Sequence, residues 1–323
     1  MKLFKKLLNI QLFANPKLPT DGTHELQERY ARTIKKLFRK TNNLRQFANT
    51  DYTGSPKAGA VQIPVRDTEV AVADYDVVTG TPLTTGTTAY MNVLVNKNKA
   101  INELIDGYEA AAVPDELVAQ RLDSGAYKMQ RTQELDFISE IRDSLAANDS
   151  GNGGGTTLPA NPTYETSTTA LTNTTVYNAI SASIGEMLDE GVDPMDIKVA
   201  INADTEGLLL QDTKYTNTAS SIGSERVAMG VVNMIRGAEV IRSSNLGVVS
   251  ATGDNVAFNG NTVEYIVFSP LWCQKGDEWA VMPNINDIKD GVHIGASALQ
   301  GREVYFNALT DSKGSRVKTK PTA

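Results

Sequence analysis

Residues 114–147 read PDELVAQRLDSGAYKMQRTQELDFISEIRDSLAA, the longest helical pattern in the chain. Apolar side chains recur there every three or four residues, the spacing that places them on one face of an α-helix. These side chains are Leu117, Val118, Leu122, Met129, Leu135, Ile138, Ile141 and Leu145. Pro114 suits the first helical position, and the two acidic residues after it favour the positive end of the helix dipole. Such a helix spans about 50 Å, whereas helices in globular domains average about 12 residues. The stretch therefore predicts a structural spine, with Gly125 as a candidate bend.

Upstream of this helix the apolar pattern changes to a period of two, which is typical of strands. Three valine-rich segments show it, at 60–65, 70–78 and 89–95. The separator at 79–87, TGTPLTTGT, contains two glycines and a proline and predicts a flexible tip. An isolated ribbon of two or three strands is marginally stable in water, so it either folds onto its own chain or waits for a neighbouring subunit. The candidate residues for contact with another subunit are Val70, Val72, Thr79, Pro82, Leu83 and Thr87.

The first 50 residues are strongly basic. They hold eleven Lys and Arg against three Asp and Glu, a net charge of +8, which leaves −15 for the other 273 residues because the whole chain carries −7. Residues 1–14 form an amphipathic pattern too short and interrupted for a secretory signal, and 21–47 predict a helix. Such asymmetry favours a separate partner for this arm, either nucleic-acid phosphates or another protein, although a solvated basic face accounts for it equally well. The candidate contacts with DNA or scaffold are Arg29, Arg32, Lys36, Arg39 and Lys40.

Downstream of the spine, residues 148–175 are rich in Gly, Pro and Thr and predict an exposed, mobile loop between two lobes. The sequence that follows predicts a compact α/β lobe. Its expected elements are a helix at 176–188 stopped at Gly191, a strand at 197–202, a helix at 204–211 capped by Asp204, a strand at 237–242, a hairpin turn at Asn259-Gly260 between strands at 256–258 and 263–268, and strands at 279–282 and 303–309. The basic tail at 313–323 is expected to fray.

Few side chains are available for catalysis or metal binding. Cys273 is the only cysteine, which excludes internal disulfides, zinc ribbons and iron–sulfur clusters, and His24 and His293 are the only imidazoles. The glycines at 151–155 lack the Gly-Lys-Ser/Thr ending of a phosphate-binding loop. We expect Cys273 to be a buried small hydrophobic residue and His293 to be a structural residue in a strand. No apolar run approaches the length of about 18 residues that spans a membrane. The sequence predicts no enzyme activity, no cofactor and no metal site.

The order of these features resembles the major capsid proteins of tailed bacteriophages, which have the Hong Kong 97-like fold. In both, a basic arm, a long β-excursion, a spine helix and a compact α/β lobe follow one another. Individual segments also carry the resemblance: NIQLFANPKL at 9–18, DPMDIKVAINADTEGLLLQD at 193–212 and GVVNMIRGAEVIRSSNLG at 230–247. The resemblance covers roughly residues 55–312 and rests on the combination of order and spacing.

This resemblance implies an α+β, Hong Kong 97-like fold with five parts. They are a basic helical N-terminal arm at 1–54, an extended loop at 55–100, a peripheral domain with the spine helix and a flexible loop at 101–175, a mainly axial domain at 176–285, and a return strand of the peripheral domain with the C-terminal tail at 286–323. It further implies a structural subunit, not an enzyme, that assembles as pentamers and hexamers into an icosahedral phage head enclosing double-stranded DNA.

The partners implied by the resemblance are other copies of the chain, a scaffolding protein, a portal protein, packaged DNA held without sequence preference and, in some relatives, a decoration protein, with no membrane. The implied location is the virion, after assembly in the host cytoplasm. Because only about fifty residues precede the extended loop, we expect a separate scaffolding protein rather than a long scaffolding segment in the same chain. No lysine lies between Val61 and Val95, so no crosslinking residue of the family is carried over.

Two other functions stay open at this point. An encapsulin-like compartment shares this fold and holds enzymes in place of a genome, although the basic arm and the NIQLFA opening favour a virus. A phage surface or host-binding protein is suggested by the threonine-rich stretch at 156–175, but Trp272 and Trp279 are the only tryptophans available for an aromatic binding pocket. Sequencing the nucleic acid of purified particles distinguishes the virus from the compartment.

Overall fold

The computed structural model describes residues 42–52, 54–66, 72–81, 83, 88–105, 117–148, 164–166, 170–216, 232–246, 257–258, 261–289, 291–293 and 295–321. Its α-helices are α1 (Leu117–Asn148), α2 (Val176–Asp189) and α3 (Ala203–Gln211). Its strands are β1 (Ala60–Arg66), β2 (Thr88–Leu94), β3 (Lys97–Ile105), β4 (Tyr164–Thr166), β5 (Lys198–Ile201), β6 (Met234–Ile235), β7 (Ala238–Arg242), β8 (Ala257–Phe258), β9 (Asn261–Phe268), β10 (Cys273–Asp287), β11 (Ser297–Leu309) and β12 (Ser315–Pro321). The fold is mixed α/β.

Helix α1 is the predicted spine, with 32 residues and a length of about 48 Å. Its first half packs on a three-stranded sheet in the order β10-β11-β3. A Cβ atom at Gly125 would lie 3.2 Å from Ile101 Cδ1 and 3.5 Å from Leu299 Cδ2, so the glycine lets the helix approach this sheet closely. The second half of α1 packs on a larger sheet, where the rings of Phe137 and Phe268 meet edge to face with their centroids 6.4 Å apart. The helix thus joins two sheets.

The larger sheet has seven strands in the order β4-β12-β9-β5-β7-β6, with β8 paired to β9. Strands β5 and β7 are parallel, and β9 is antiparallel to both β5 and β12. Helix α1 covers one face of this sheet, while α2 and α3 cover the other. The predicted hairpin is confirmed in its flanking strands, because Phe258 pairs with Asn261 across residues 259–260, which lie outside the described part of the chain.

Helix α2 begins and ends as the sequence predicts. Val176, Ile180, Ile184 and Met187 recur at helical spacing and are all buried. The helix is closed by Gly191, whose φ of +88° is left-handed and strains other residues. The backbone N–H of Val192 then donates to the carbonyl of Met187 at 3.0 Å, which is the bond that completes a Schellman ending.

The start of α3 differs from the prediction in its capping residue. Asn202, not Asp204, is the N-cap, because its side-chain oxygen accepts the backbone N–H of Thr205 at 2.7 Å. Asp204 lies inside the first helical turn, where its negative charge favours the positive end of the helix dipole. The two residues are close in sequence, and only the backbone geometry decides which one lies outside the helix.

The C-terminal tail is the largest departure from the sequence prediction, since residues 315–321 do not fray. They form β12, which lies between β9 (antiparallel) and β4 (parallel) inside the seven-stranded sheet. Val317 is 1% exposed, and the charged Arg316 is also buried. The Arg316 guanidinium is satisfied there, because its Nε donates to Glu186 Oε2 at 3.1 Å and its Nη1 donates to backbone carbonyls.

The prediction of a loop across 148–175 is corrected at 164–166, which form β4.

Strands β3 and β10 extend the three-stranded sheet well beyond the predicted segments. The sequence predicted a strand only at 279–282, whereas β10 runs for 15 residues and pairs with β11 along most of its length. Register shifts between Trp279 and Val281 and between Val281 and Asn284 interrupt its periodicity, which explains why the pattern was missed. Strand β3 reads KNKAINELI, in which polar and apolar residues do not alternate, so its sequence carries no period-two signal.

Candidate subunit interface

The ribbon formed by β1 and β2 is antiparallel, and its base packs on the body of the chain. Val61 and Ile63 of β1 are buried against Phe306 of β11. Tyr52 meets the same Phe306 ring edge to face, with the centroids 5.3 Å apart. The base of the ribbon therefore folds onto its own chain, which is the first of the two alternatives that the sequence left open.

Beyond this base, the segment at 72–83 exposes large apolar side chains. Five of them are at least 75% exposed: Val72, Tyr75, Val77, Val78 and Leu83. On β2, Tyr90 and Leu94 are also more than half exposed. Burial of one such side chain contributes about 1.5–3 kcal/mol, so leaving five in water forgoes a large stabilisation. Clustered exposed apolar residues of this kind mark interaction surfaces. We call the described residues 72–81 and 83 the ribbon tip.

The structure places three of the six predicted contact residues in the ribbon tip and leaves the others outside the described residues. Val72, Thr79 and Leu83 are exposed there, while Val70, Pro82 and Thr87 lie outside the described part of the chain. The predicted strand at 70–78 is wrong over 72–78, where the backbone is irregular and then turns at 77–79. Local hydrogen bonds to an aspartate, described below, compete with strand pairing.

Further exposed apolar side chains lie towards the far end of the three-stranded sheet, with Leu104 and Ile285 on opposite faces because they pair with the consecutive residues Ala298 and Leu299 of β11. The sequence analysis did not identify them. They are Leu104, Val281, Met282, Ile285 and Val292. Amide side chains cross the exposed face of the same sheet, since Asn286 Nδ2 donates to Gln300 Oε1 at 3.1 Å and Gln300 Nε2 donates to Asn102 Oδ1 at 3.3 Å. The signal available in the sequence was the apolar pair Val281-Met282 beside a proline. We call these five residues the distal patch.

A third feature fixes residues 42–49 to the body of the protein. Leu44 is buried in the core under α1, and the neighbouring Arg45 is 8% exposed. The Arg45 guanidinium donates to Gln133 Oε1 at 3.3 Å, to Asn307 Oδ1 at 3.0 Å and to Asp277 Oδ1 at 3.1 Å. These acceptors belong to α1, β11 and β10, so one side chain links three elements. We call this cluster the arm anchor.

Glu134 of α1 completes the arm anchor from the other side. Its Oε2 accepts the backbone N–H of Leu44 at 3.0 Å, and its Oε1 accepts Asn245 Nδ2 at 3.0 Å. Burial raises the pKa of Glu134, and these hydrogen bonds oppose that rise. A polar cavity of about 340 Å³ adjoins the anchor, and Lys275 at its wall donates to the carbonyls of Arg45 and Gln46 at 3.0 and 3.2 Å. The sequence predicts a helix at 21–47; residues 21–41 lie outside the described part of the chain, and within the described residues 42–47 a short 3-10 turn forms at 45–47.

Glu303, beside the anchor, gives the stability a testable pH dependence. Burial raises its pKa, the carboxylate of Asp277 adds to the rise, and hydrogen bonding from Gln133 and the charge of Arg45 oppose it. Because the pKa is raised in the folded state, the folded chain binds this proton more tightly than the unfolded chain does. The resulting contribution of Glu303 to folding stability is complete below the unfolded pKa of about 4.5, and it is lost as the pH rises through the folded pKa. Glu303→Gln is therefore expected to unfold at a higher temperature than wild type at pH 7, with the difference shrinking towards pH 4.5, in thermal melts followed by circular dichroism.

The control for this prediction is Glu239→Gln, which removes a carboxylate that is half exposed and paired with Lys198. It is expected to leave the slope of melting temperature against pH nearly unchanged. A Glu303→Gln variant that melts below wild type at pH 7, or that keeps the wild-type slope, contradicts the assignment of Glu303 as a buried, unfavourable charge.

The cysteine and the described histidine lie in different environments. Cys273 is fully buried, as predicted, and burial raises the pKa of its thiol to about 12. His293 lies in an exposed bend, so its predicted place in a strand is wrong.

The described residues contain no group of three or more His, Cys, Asp or Glu side chains placed to hold a metal ion. Among the same residues, no helix is long and apolar enough to cross a bilayer. The predicted DNA or scaffold contacts Arg29, Arg32, Lys36, Arg39 and Lys40 all lie outside the described part.

The chain has a mixed α/β body with a spine helix, a ribbon and exposed apolar side chains. Solved structures define the fold further. The chain aligns with the capsid of cyanophage P-SCSP1u at a TM-score of 0.69 and 15% identity over 92% of this chain and 94% of that one. It aligns with the mature capsid of bacteriophage PhiM1 at 0.65 and 15% identity over 90% of each chain. It also aligns with the capsid of a native GTA (gene transfer agent) particle at 0.58 and 13% identity over 95% and 99%.

The fold of this chain is thus that of phage and gene transfer agent capsids, which confirms the resemblance found in the sequence. These neighbours are structural capsid proteins rather than enzymes. No protein-family model and no curated protein sequence matches the chain. At identities of 13–15%, structure rather than sequence carries the similarity.

Proposed function

We propose that this chain is the major capsid protein of a tailed bacteriophage, a Hong Kong 97-like subunit that assembles as pentamers and hexamers into an icosahedral head around double-stranded DNA. The single observation that carries the proposal is the alignment of about nine tenths of the chain with the capsid subunits of two phages. An exposed apolar ribbon tip supports it, because a subunit of a closed shell gains its partner surface only on assembly.

The proposed division of the chain follows the two sheets. In this division, α1 and the three-stranded sheet form the peripheral domain, and the seven-stranded sheet with α2 and α3 forms the axial domain. The ribbon corresponds to the extended loop at 55–100, and residues 1–54 to the basic arm. In this proposal the boundaries differ from those at 175 and 285 expected from the sequence, because β10 (Cys273–Asp287) crosses 285 and belongs to the three-stranded sheet, whereas β4 and β12 belong to the seven-stranded sheet.

We assign the ribbon tip to contact with a second copy of this chain. The tip and the distal patch both expose large apolar side chains, so each copy of the chain carries an apolar surface to donate and apolar residues to receive it. A subunit that donates its tip and receives another's makes a head-to-tail contact, which is the type that closes rings.

The basic arm is proposed to contact packaged DNA or a scaffolding protein through Arg29, Arg32, Lys36, Arg39 and Lys40. Lysine and arginine neutralise phosphates without reading bases, which is the kind of contact that packaged DNA of any sequence requires. A portal protein and, in some heads, a decoration protein complete the proposed set of partners. The proposed location is the virion, after assembly in the host cytoplasm.

The experiment that tests the proposed function is electron microscopy of the purified chain, with and without a candidate scaffolding protein, together with light scattering after size exclusion. Closed shells that protect double-stranded DNA of phage sequence from nuclease support it. A stable monomer at high concentration, with residues 72–83 packed on its own body, overturns it. Shells filled with an enzyme and free of nucleic acid select the encapsulin-like alternative.

The variant Val78→Ser is expected to raise the protein concentration needed for shell assembly by about tenfold or more. Val78 is 91% exposed in the subunit, and burying a valine at a contact contributes about 1.5–3 kcal/mol, where 1.4 kcal/mol is a factor of ten. Pelleted shell protein measured across a concentration series gives this threshold. Met195→Ser is the control, because Met195 is 80% exposed on a 3-10 turn of the other lobe. Equal thresholds for Val78→Ser and wild type contradict the assigned contact.

A further inference from the structure

The ribbon tip has a defined local structure although its side chains are exposed. Within it, residues 77–79 form a turn that is closed by Gly80, whose backbone N–H donates to the carbonyl of Asp76 at 2.8 Å. Gly80 has a φ of +73°, a left-handed conformation that other residues adopt only with strain. A glycine in this conformation fixes the point at which the chain reverses direction.

The side chain of Asp76 holds the same turn from inside. Its Oδ1 accepts the backbone N–H of Val78 at 2.7 Å and that of Thr79 at 3.3 Å. These hydrogen bonds lower the pKa of Asp76, so its carboxylate stays ionised at pH values at which an ordinary aspartate becomes protonated. Asp76 is itself exposed, and the bonds described for it are all within the tip. Its contribution is therefore to the conformation of residues 76–80 and not to the packing of the body.

The turn decides how the apolar side chains of the tip are presented. Val77 and Val78 lie within it, and Tyr75 immediately precedes the aspartate. All three are at least 75% exposed. A disordered loop loses conformational freedom when it docks, and this loss reduces its affinity, whereas a segment already held in its docked shape loses less. A pre-formed tip docks at a lower protein concentration than a flexible tip with the same apolar side chains.

We infer that Asp76 is a positioning residue for self-association: it fixes the 76–80 turn so that Tyr75, Val77 and Val78 form a preformed apolar knob for a second copy of this chain. This inference rests on the proposed function, since it specifies how the ribbon tip is prepared for the contact assigned above. It adds a separate claim, that the geometry of one turn, rather than the charge or the area of the tip, sets the assembly threshold.

Four variants distinguish geometry from charge. Asp76→Ala removes both the acceptor and the charge, whereas Asp76→Asn removes the charge and keeps an oxygen that accepts backbone N–H groups in the same type of turn. Asp74→Ala removes one negative charge two residues away and leaves Asp76 in place. Gly80→Ala disturbs the same turn without changing any charge, and a Cβ there would meet nothing within 4 Å, so only its backbone conformation is affected.

The experiment measures the assembly threshold of each variant from pelleted shells across a concentration series, and amide hydrogen exchange of residues 72–80 below that threshold. Asp76→Ala and Gly80→Ala are each expected to raise the threshold about fivefold, the change that loss of a capping hydrogen bond or strain at a left-handed residue produces. Faster exchange at Val78 and Thr79 is expected in both variants. Asp76→Asn and Asp74→Ala are expected to behave like wild type.

The failure of this inference differs from the failure of the proposed function. If wild type forms shells and Asp76→Ala forms them at the same concentration, the inference is wrong and the proposed function stands. If Asp76→Asn and Asp74→Ala are as defective as Asp76→Ala, charge rather than geometry sets the threshold, and the inference is again wrong. If wild type forms no shells under any condition, both the proposed function and the inference that rests on it are wrong.

Discussion

A chain carrying Val317→Asp is expected to be recovered as unfolded or aggregated protein, with no cooperative melt by circular dichroism. Val317 is 1% exposed and lies opposite Ile266 of β9 and Tyr164 of β4, inside the seven-stranded sheet. It also belongs to the core under α1. An ionised carboxylate buried there without a partner carries a desolvation cost of several kcal/mol, to be set against a total stability of about 5–15 kcal/mol for a typical protein.

The matched control is Val72→Asp, which makes the same chemical change at a valine that is 97% exposed. This variant is expected to be soluble and to melt close to wild type, even though its assembly is impaired. A Val317→Asp chain that melts within a few degrees of wild type contradicts the placement of β12 in the sheet. Deletion of residues 315–323 is expected to reproduce the defect of Val317→Asp, because the strand between β9 and β4 is then missing.

Arg45→Ala is expected to destabilise the chain by about 3 kcal/mol in urea denaturation, the usual range for removing one member of a buried charged network. The substitution leaves Gln133 and Asn307 without the donor that satisfies them and removes the guanidinium from above the Tyr305 ring, 5.6 Å from its centroid. It also removes the side-chain bonds of Arg45 to three elements at once, so that residues 42–49 are held by the bonds of Glu134 and Lys275. Limited proteolysis at this segment is therefore expected to be faster than in wild type.

Two further variants give this prediction its controls. Arg302→Ala removes an exposed arginine that donates to Asn98 at 3.0 Å, and it is expected to change stability by no more than about 0.5 kcal/mol. Arg45→Lys keeps the charge but cannot donate to three acceptors in fixed directions, so it is expected to fall between wild type and Arg45→Ala. If Arg45→Ala and Arg302→Ala have the same effect, the arm anchor does not hold this segment.

The ribbon tip and the distal patch could be predicted from the sequence to different degrees. The ribbon was predictable, because valine-rich segments on either side of a Gly/Pro/Thr separator already indicate it. Three of the predicted contact residues, Val72, Thr79 and Leu83, lie exposed in its tip. The turn at Asp76 was not predicted, since an aspartate within a valine-rich stretch also fits a strand. The distal patch was missed because register shifts in β10 break the alternation that would reveal which side chains are exposed.

The sequence by itself determined the local elements: the spine helix α1, helix α2 with its stop at Gly191, the strands β1 and β2, and the pairing of β8 with β9. Each depends on apolar periodicity or on turn residues within a few positions of one another, so the signal is contained in a short window.

Only the tertiary structure decided the place of β12, the burial of Arg316 beside Glu186, and the junction of Arg45 with α1, β10 and β11. Arg45 meets Asn307, which is 262 positions away in the chain. A charged residue resembles a surface residue in the sequence until a distant partner satisfies it, because the cost of burying a charge depends on that partner and not on its neighbours in the chain.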